Sequence, residues 1–198
     1  MENYKKNLEL LTKNHVYSKE MEHDACGVGL IASTEGKKSR AIVEYGIEAL
    51  KAVWHRGAVD ADGKTGDGAG IHVEIPKDFF IEKIQVTGHD YDNSEICVGM
   101  IFLPRNDYSA QESCKTIVES ELTKNNFSIY GWRQVPVNSK VLGEKALQTM
   151  PEIIQVLFKP NDPNLLDKNL ERKIYETRKK IENKAFDASL NNFYICSI

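Results

Sequence analysis

The chain has 198 residues, 41% of them hydrophobic and 28% charged, enough to bury one sizeable core and too few to promise two. Its 26 basic and 29 acidic residues are dispersed and leave a formal net charge of -3, so neither a nucleic-acid face nor an acidic tail stands out. Cys26, Cys97, Cys114 and Cys196 are scattered without a CxxC pair, which fits reduced thiols better than a disulfide framework or a zinc knuckle. The first 25 residues offer no signal-peptide core, and no later run approaches a membrane span. The expectation is one cytoplasmic domain with no nucleic-acid partner and no membrane.

In chain order, "CGVGLIAS" at 26–33 reads as a buried strand whose glycines admit close backbone approach. "SRAIVEYGIEALKAVWHRG" then reads as a helix that opens on a Ser39 cap and stops at Gly57. The Gly- and Asp-rich loop "VDADGKTGDGAG" delivers the chain to a strand at "IHVEI". "EICVGMIFL" reads as a central strand, and Ser109-x-x-Glu112 as a capping box that opens the next helix.

"FSIYGWRQVPV", "EIIQVLFK" and "NNFYICSI" read as further strands, with a short helix near "VLGEKALQT" and a longer charged one over 165–184. Several strands follow one another without a crossover helix between them, so an α+β domain on an antiparallel sheet is expected. The chain ends at Ile198 inside an apolar strand-like run, a hydrophobic edge that native domains cover or charge; it is expected to be incomplete there. Trp54 and Trp132 are expected in the core or at its margin, Cys97 and Cys114 as inert core thiols, and His72 and His89 without clustered partners.

The chemistry centres on Cys26 in "HDACGVGLIA". A mid-chain thiol has a pKa near ~8.5 and needs a neighbouring base. Cleavage after the small Ala25 would give Cys26 its own base, an α-amine of pKa about 7.7 to 8, able to take the thiol proton and return it to a leaving amine. The strand that begins there would hold such a chain end in place. Taken alone, a cysteine among glycines in an apolar strand is more often a small buried core residue. His23-x-x-Cys26 has no second ligand pair at zinc spacing, so no metal site is expected.

"CGVGLIAS" followed by "GIEALKAVWHRGAVDADGKTGDGAGI" resembles the amino-terminal glutaminase domain of the glutamate synthase large subunit, a class II glutamine amidotransferase of the N-terminal-nucleophile hydrolase type. "IYETRKKIE" and "FYICSI" extend the likeness to the end of the chain. Each motif alone is weak, but their order and separation make the combination specific.

The resemblance implies an αββα sandwich, incomplete on its C-terminal side, with residues 1–25 as a propeptide-like leader and 26–198 as the first part of the domain. It implies that Cys26 attacks the side-chain amide of L-glutamine. Arg56, in His-Arg-Gly, would line the glutamine pocket; apart from the resemblance it reads as a cation at a helix C-terminus. Asp67, in Gly-Asp-Gly, would face the substrate's ammonium or simply tie its own turn.

The resemblance assigns no cofactor to this chain, and FMN and an iron–sulfur cluster to the complete enzyme, whose synthase domains or missing half would be partners in cis or trans. One departure is plain. The family supplies oxyanion donors from an Asn-Gly pair, worth about 10²- to 10³-fold in rate for a single donor, and this sequence contains no Asn-Gly. A catalytically incompetent fragment or interaction module therefore stays open beside the glutaminase.

Overall fold

The computed structural model describes residues 6, 7, 9, 10, 13, 27–54, 57, 59–66 and 68–198. They divide into two compact units, one drawn from residues up to 60 with 66–71, the other from 61–65 with 72–198.

In the first unit, helix α1 (Arg40–Ala52) starts where the sequence places it: the Ser39 hydroxyl accepts the Ala41 N–H at 3.2 Å, satisfying one of the free donors of the first turn. It ends at Ala52, short of the expected Gly57. Ile71 lies against the helix at Gly46, where an added Cβ would come within 3.0 Å of its Cδ1. The expected strand at 26–33 is not seen: residues 27–33 have no strand pairing, and Val28 and Leu30 are 91% and 89% exposed. Trp54, expected in or near the core, is 69% exposed. Among the described residues of this unit none is buried.

The second unit holds the core. Strands β1 (Cys97–Leu103), β2 (Phe127–Gln134), β3 (Glu152–Pro160) and β4 (Tyr194–Ser197) form a sheet in the order β2-β3-β1-β4, and every pairing is antiparallel. "IHVEI" contributes no strand. The chain there runs irregularly into a helix the sequence reading omits, α2 (Lys77–Val86), which buries Phe80 and Ile84.

Period-two alternation sorts β1 onto two faces. Cys97, Ile101 and Leu103 point to one side, where they meet α3 (Tyr108–Lys124) and α5 (Asp167–Asp187). These helices bury Cys114, Val118 and Leu122, and Leu170, Ile174 and Ile181, at helical spacing. Val98 points the other way and packs with Leu157, Tyr130, Ile96 and the apolar side of α2. Helix α3 is capped not by Ser109 but by Asp107, whose carboxylate accepts the Ala110 N–H at 2.9 Å. Between β2 and β3 lie a 3₁₀ turn (Ser139–Val141) and helix α4 (Glu144–Thr149).

Polar groups that reach this core are paired. Glu121, only 4% exposed on α3, accepts from Lys184 of α5 and from Lys124 at 3.3 Å, and these ammonium groups hold its carboxyl below the usual range. Asp92 binds Tyr130, Lys159 and Ser94 and so fastens the 87–96 loop to the sheet; its carboxyl is likewise driven down, chiefly by Lys159. His89 is not isolated, since its Nδ1 lies 3.2 Å from Thr87 Oγ1 and its ring stands edge-on to Tyr130. Cys97 and Cys114 are buried as expected, and burial pushes their thiols up to about 12 and about 11, which leaves them protonated and unreactive. Among the described residues no helix is long and apolar enough to cross a membrane.

Candidate active site

Cys26, Arg56 and Asp67 all lie outside the described residues; the structure describes residues near them in the sequence. Gly27 directly follows the candidate nucleophile and begins the exposed 27–33 segment. Past the exit of α1, the Gly57 N–H donates to the Trp54 carbonyl at 3.0 Å. Past this turn Val59 and Gly66 form an antiparallel bridge. In the sequence, Val59 is three residues after Arg56 and Gly66 one before Asp67. From there the glycine-rich stretch runs to Ile71, which returns to α1 at Gly46. Residues 59–66 thus form a loop closed by that bridge.

The tip of that loop belongs to the second unit and holds a residue the sequence reading passed over. Asp62 accepts the N–H groups of Lys64 at 2.9 Å and Thr65 at 2.7 Å and the Thr65 hydroxyl at 2.5 Å. Asp62 also lies against the start of α4, where a Cβ built on Gly143 would collide with its Oδ2; that helix has no side-chain cap of its own. These donors, the Thr65 hydroxyl foremost, hold the Asp62 carboxyl far below the usual carboxylate range. Asp-x-x-Thr was a local turn signal for part of this arrangement. The approach to Gly143, some eighty residues away, had none.

Among the described residues no three His, Cys, Asp or Glu side chains converge as metal ligands. The described cysteines are two buried thiols and the exposed Cys196, so they do not fit as holders of an iron–sulfur cluster.

An antiparallel sheet with two long helices on one face and a third helix on part of the other, preceded by the ordered Cys-Gly-Val-Gly, His-Arg-Gly and Gly-Asp-Gly-Ala-Gly motifs, has a family counterpart. The model of the class-II glutamine amidotransferases matches residues 26–198, and the chain belongs to that family. Within it the chain is homologous to the amino-terminal domain of glutamate synthase large subunits. It is 51% identical over 195 residues to the glutamate synthase [NADPH] large chain of Azospirillum brasilense, covering 98% of this chain and 13% of that protein. It is 39% identical to the ferredoxin-dependent glutamate synthase of Pyropia yezoensis, over 96% of this chain and 12% of the relative. For the chloroplastic ferredoxin-dependent enzyme of Spinacia oleracea the figures are 38%, 89% and 11%. The chain therefore spans roughly an eighth of the length of these relatives.

Proposed function

We propose that this chain is the nucleophile-bearing part of a glutaminase, which hydrolyses L-glutamine to glutamate and ammonia for glutamate synthesis. The observation that carries the reading is that the family match starts at Cys26, the residue that removal of residues 1–25 would leave as the chain end. The free α-amine takes the thiol proton as sulfur attacks the amide carbon, and the same proton goes to the departing nitrogen as ammonia leaves. Water, deprotonated by the amine, then cleaves the thioester to give glutamate and restore the thiol. Arg56 pairs with the substrate carboxylate, its fork matching two oxygens, and Asp67 faces the ammonium. The tied loop ends at Val59 and Gly66 support a shared role for these two residues.

The second layer of the αββα sandwich and the oxyanion donors belong, on this reading, to sequence other than the 198 residues, supplied in cis or in trans. Ammonia is consumed in synthase domains elsewhere in the enzyme, where FMN and an iron–sulfur cluster provide reducing equivalents. A cytoplasmic location goes with free thiols at Cys97, Cys114 and Cys196.

Two measurements test the reading together. Intact-mass analysis is expected to show a mature species that begins at Cys26. Glutamine-dependent ammonia release, measured with the rest of the domain present, is expected to fall by about 10³-fold or more in Cys26→Ala, as for loss of a covalent nucleophile. Full turnover by a species that keeps its leader attached would overturn it. Failure to release ammonia even with the rest of the domain supplied would favour the interaction-module alternative.

A further inference from the structure

We propose that Arg133, Lys83, Phe79 and Gln155 form a binding site for a carboxylate on the α2 side of the sheet. The site stands on unit-two geometry alone and does not depend on the glutaminase reading.

It begins with a bulge. The β2–β3 register shifts between Ile129 and Gly131, and Gly131 has φ 146°, which a side chain would strain; a Cβ there would also meet Thr87 Cγ2 at 2.9 Å. The extra residue swaps the faces of the strand beyond it. Phe127 and Ile129 pack on the α3 side, and so does Trp132, whose indole donates to Glu119 at 2.7 Å. Arg133 is thereby turned toward α2. Without the bulge, alternation from Ile129 would have sent it to the opposite face.

There the guanidinium is held on two sides. Its Nη1 donates to Oε1 of Gln155, its cross-strand partner, at 2.7 Å, and Gln155 is only 8% exposed. Its Cζ lies 5.1 Å from the centroid of the Phe79 ring, which is 39% exposed. Lys83, one turn along α2 from Phe79, brings its ammonium 5.0 Å from the same centroid.

Two cations on one ring are no farther apart than about one Debye length, about 10 Å at 0.1 M salt, and repel each other. Among the described residues, the one ion pair on either is a 4.0 Å contact from Lys83 to the exposed Glu82. Among the described residues no carboxylate lies within ion-pair distance of Arg133. Five N–H donors in a fixed plane, one of them used, with the plane steadied by an aromatic ring and a buried amide, suit a planar anion that accepts two parallel bonds. The Gln155 side-chain N–H₂ offers a further donor beside it. The ligand is either a free carboxylate metabolite or an acidic side chain of a polypeptide segment that covers this face.

The test follows the Arg133 Nε–H resonance in the ¹⁵N-labelled chain while sodium acetate or sodium L-glutamate replaces sodium chloride, or L-glutamine is added to it, all at constant ionic strength. A saturable shift is expected, absent in Arg133→Met, which keeps an unbranched side chain on Phe79, and weakened severalfold in Lys83→Met. Saturation by L-glutamate and L-glutamine at concentrations tenfold below acetate assigns the site to a free amino acid. Saturation by acetate and L-glutamate at equal concentration, with no response to zwitterionic L-glutamine, assigns it to a side-chain carboxylate. No shift up to about 100 mM, a hundredfold above a millimolar Kd, overturns the proposal. So does tighter binding of inorganic phosphate than of any carboxylate. The wild-type titrations decide the matter even if a variant fails to fold.

Discussion

Residues 27–31 and strand β3 are built from the same kind of side chain and meet opposite fates. Val28 and Leu30 stand almost wholly in solvent, whereas Val156 and Leu157 on β3 are fully buried. β3 has a hydrogen-bonded neighbour on each edge, β2 and β1, and apolar groups against both faces, with Phe127, Val118 and Ile181 on one and Phe80 and Ile84 on the other. Among the described residues the 27–31 segment has no strand partner. An apolar run supplies material for a core, but only pairing with chain that is distant in sequence makes it a strand and buries it.

This contrast can be broken by mutation. Phe158 is fully buried and stacked edge-to-face on Phe127 at 5.2 Å. Phe158→Ala is expected to cost about 3–5 kcal/mol and to lower the urea midpoint of the second unit sharply. A loss below about 1 kcal/mol would mean that the sheet core is far looser than its burial indicates.

Glu121→Gln should cost less, about 1–2 kcal/mol, because the two ammonium groups it would leave unpaired still reach water. The pH dependence has a definite sign. The folded-state carboxyl titrates below its ordinary value, so its stabilisation is complete above the unfolded pKa of about 4.3 and is lost as pH falls through the depressed folded value. The gap between wild type and Glu121→Gln, followed by urea unfolding, should therefore hold steady near neutrality and close in acid. A gap that widened in acid would mean the pairing is not made in solution.

Smallest of all is Leu30→Ala, expected to change unfolding free energy by under about 0.5 kcal/mol, since almost no area is removed from water at that position. A cost near 2 kcal/mol would show that Leu30 is covered in solution and would collapse the comparison.

The four strands from β1 onward were legible because each carries a β-rich apolar run between turn residues, and the antiparallel pairing followed from connections too short for a crossover. Ser39 was legible as a cap because capping is local. Asp107 was missed because Ser109-x-x-Glu112 offered the more familiar pattern two residues later. "IHVEI" alternates like a strand, yet Ile71 and Val73 stay exposed, and among the described residues no neighbouring strand accepts them. Of the candidate site, motif order picked out Cys26, Arg56 and Asp67. The Val59–Gly66 bridge and the Gly46–Ile71 approach are encoded in no motif.

By itself the sequence determined the family and the local elements whose signals lie within a turn or a few alternating residues. Tertiary structure alone decided which apolar runs are buried, that Asp62 reaches the start of α4, and that the bulge at Gly131 turns Arg133 rather than Trp132 toward α2. The reason is the range of the forces: capping and periodicity act between neighbours in the chain, while burial, register and face depend on partners that only folding brings near.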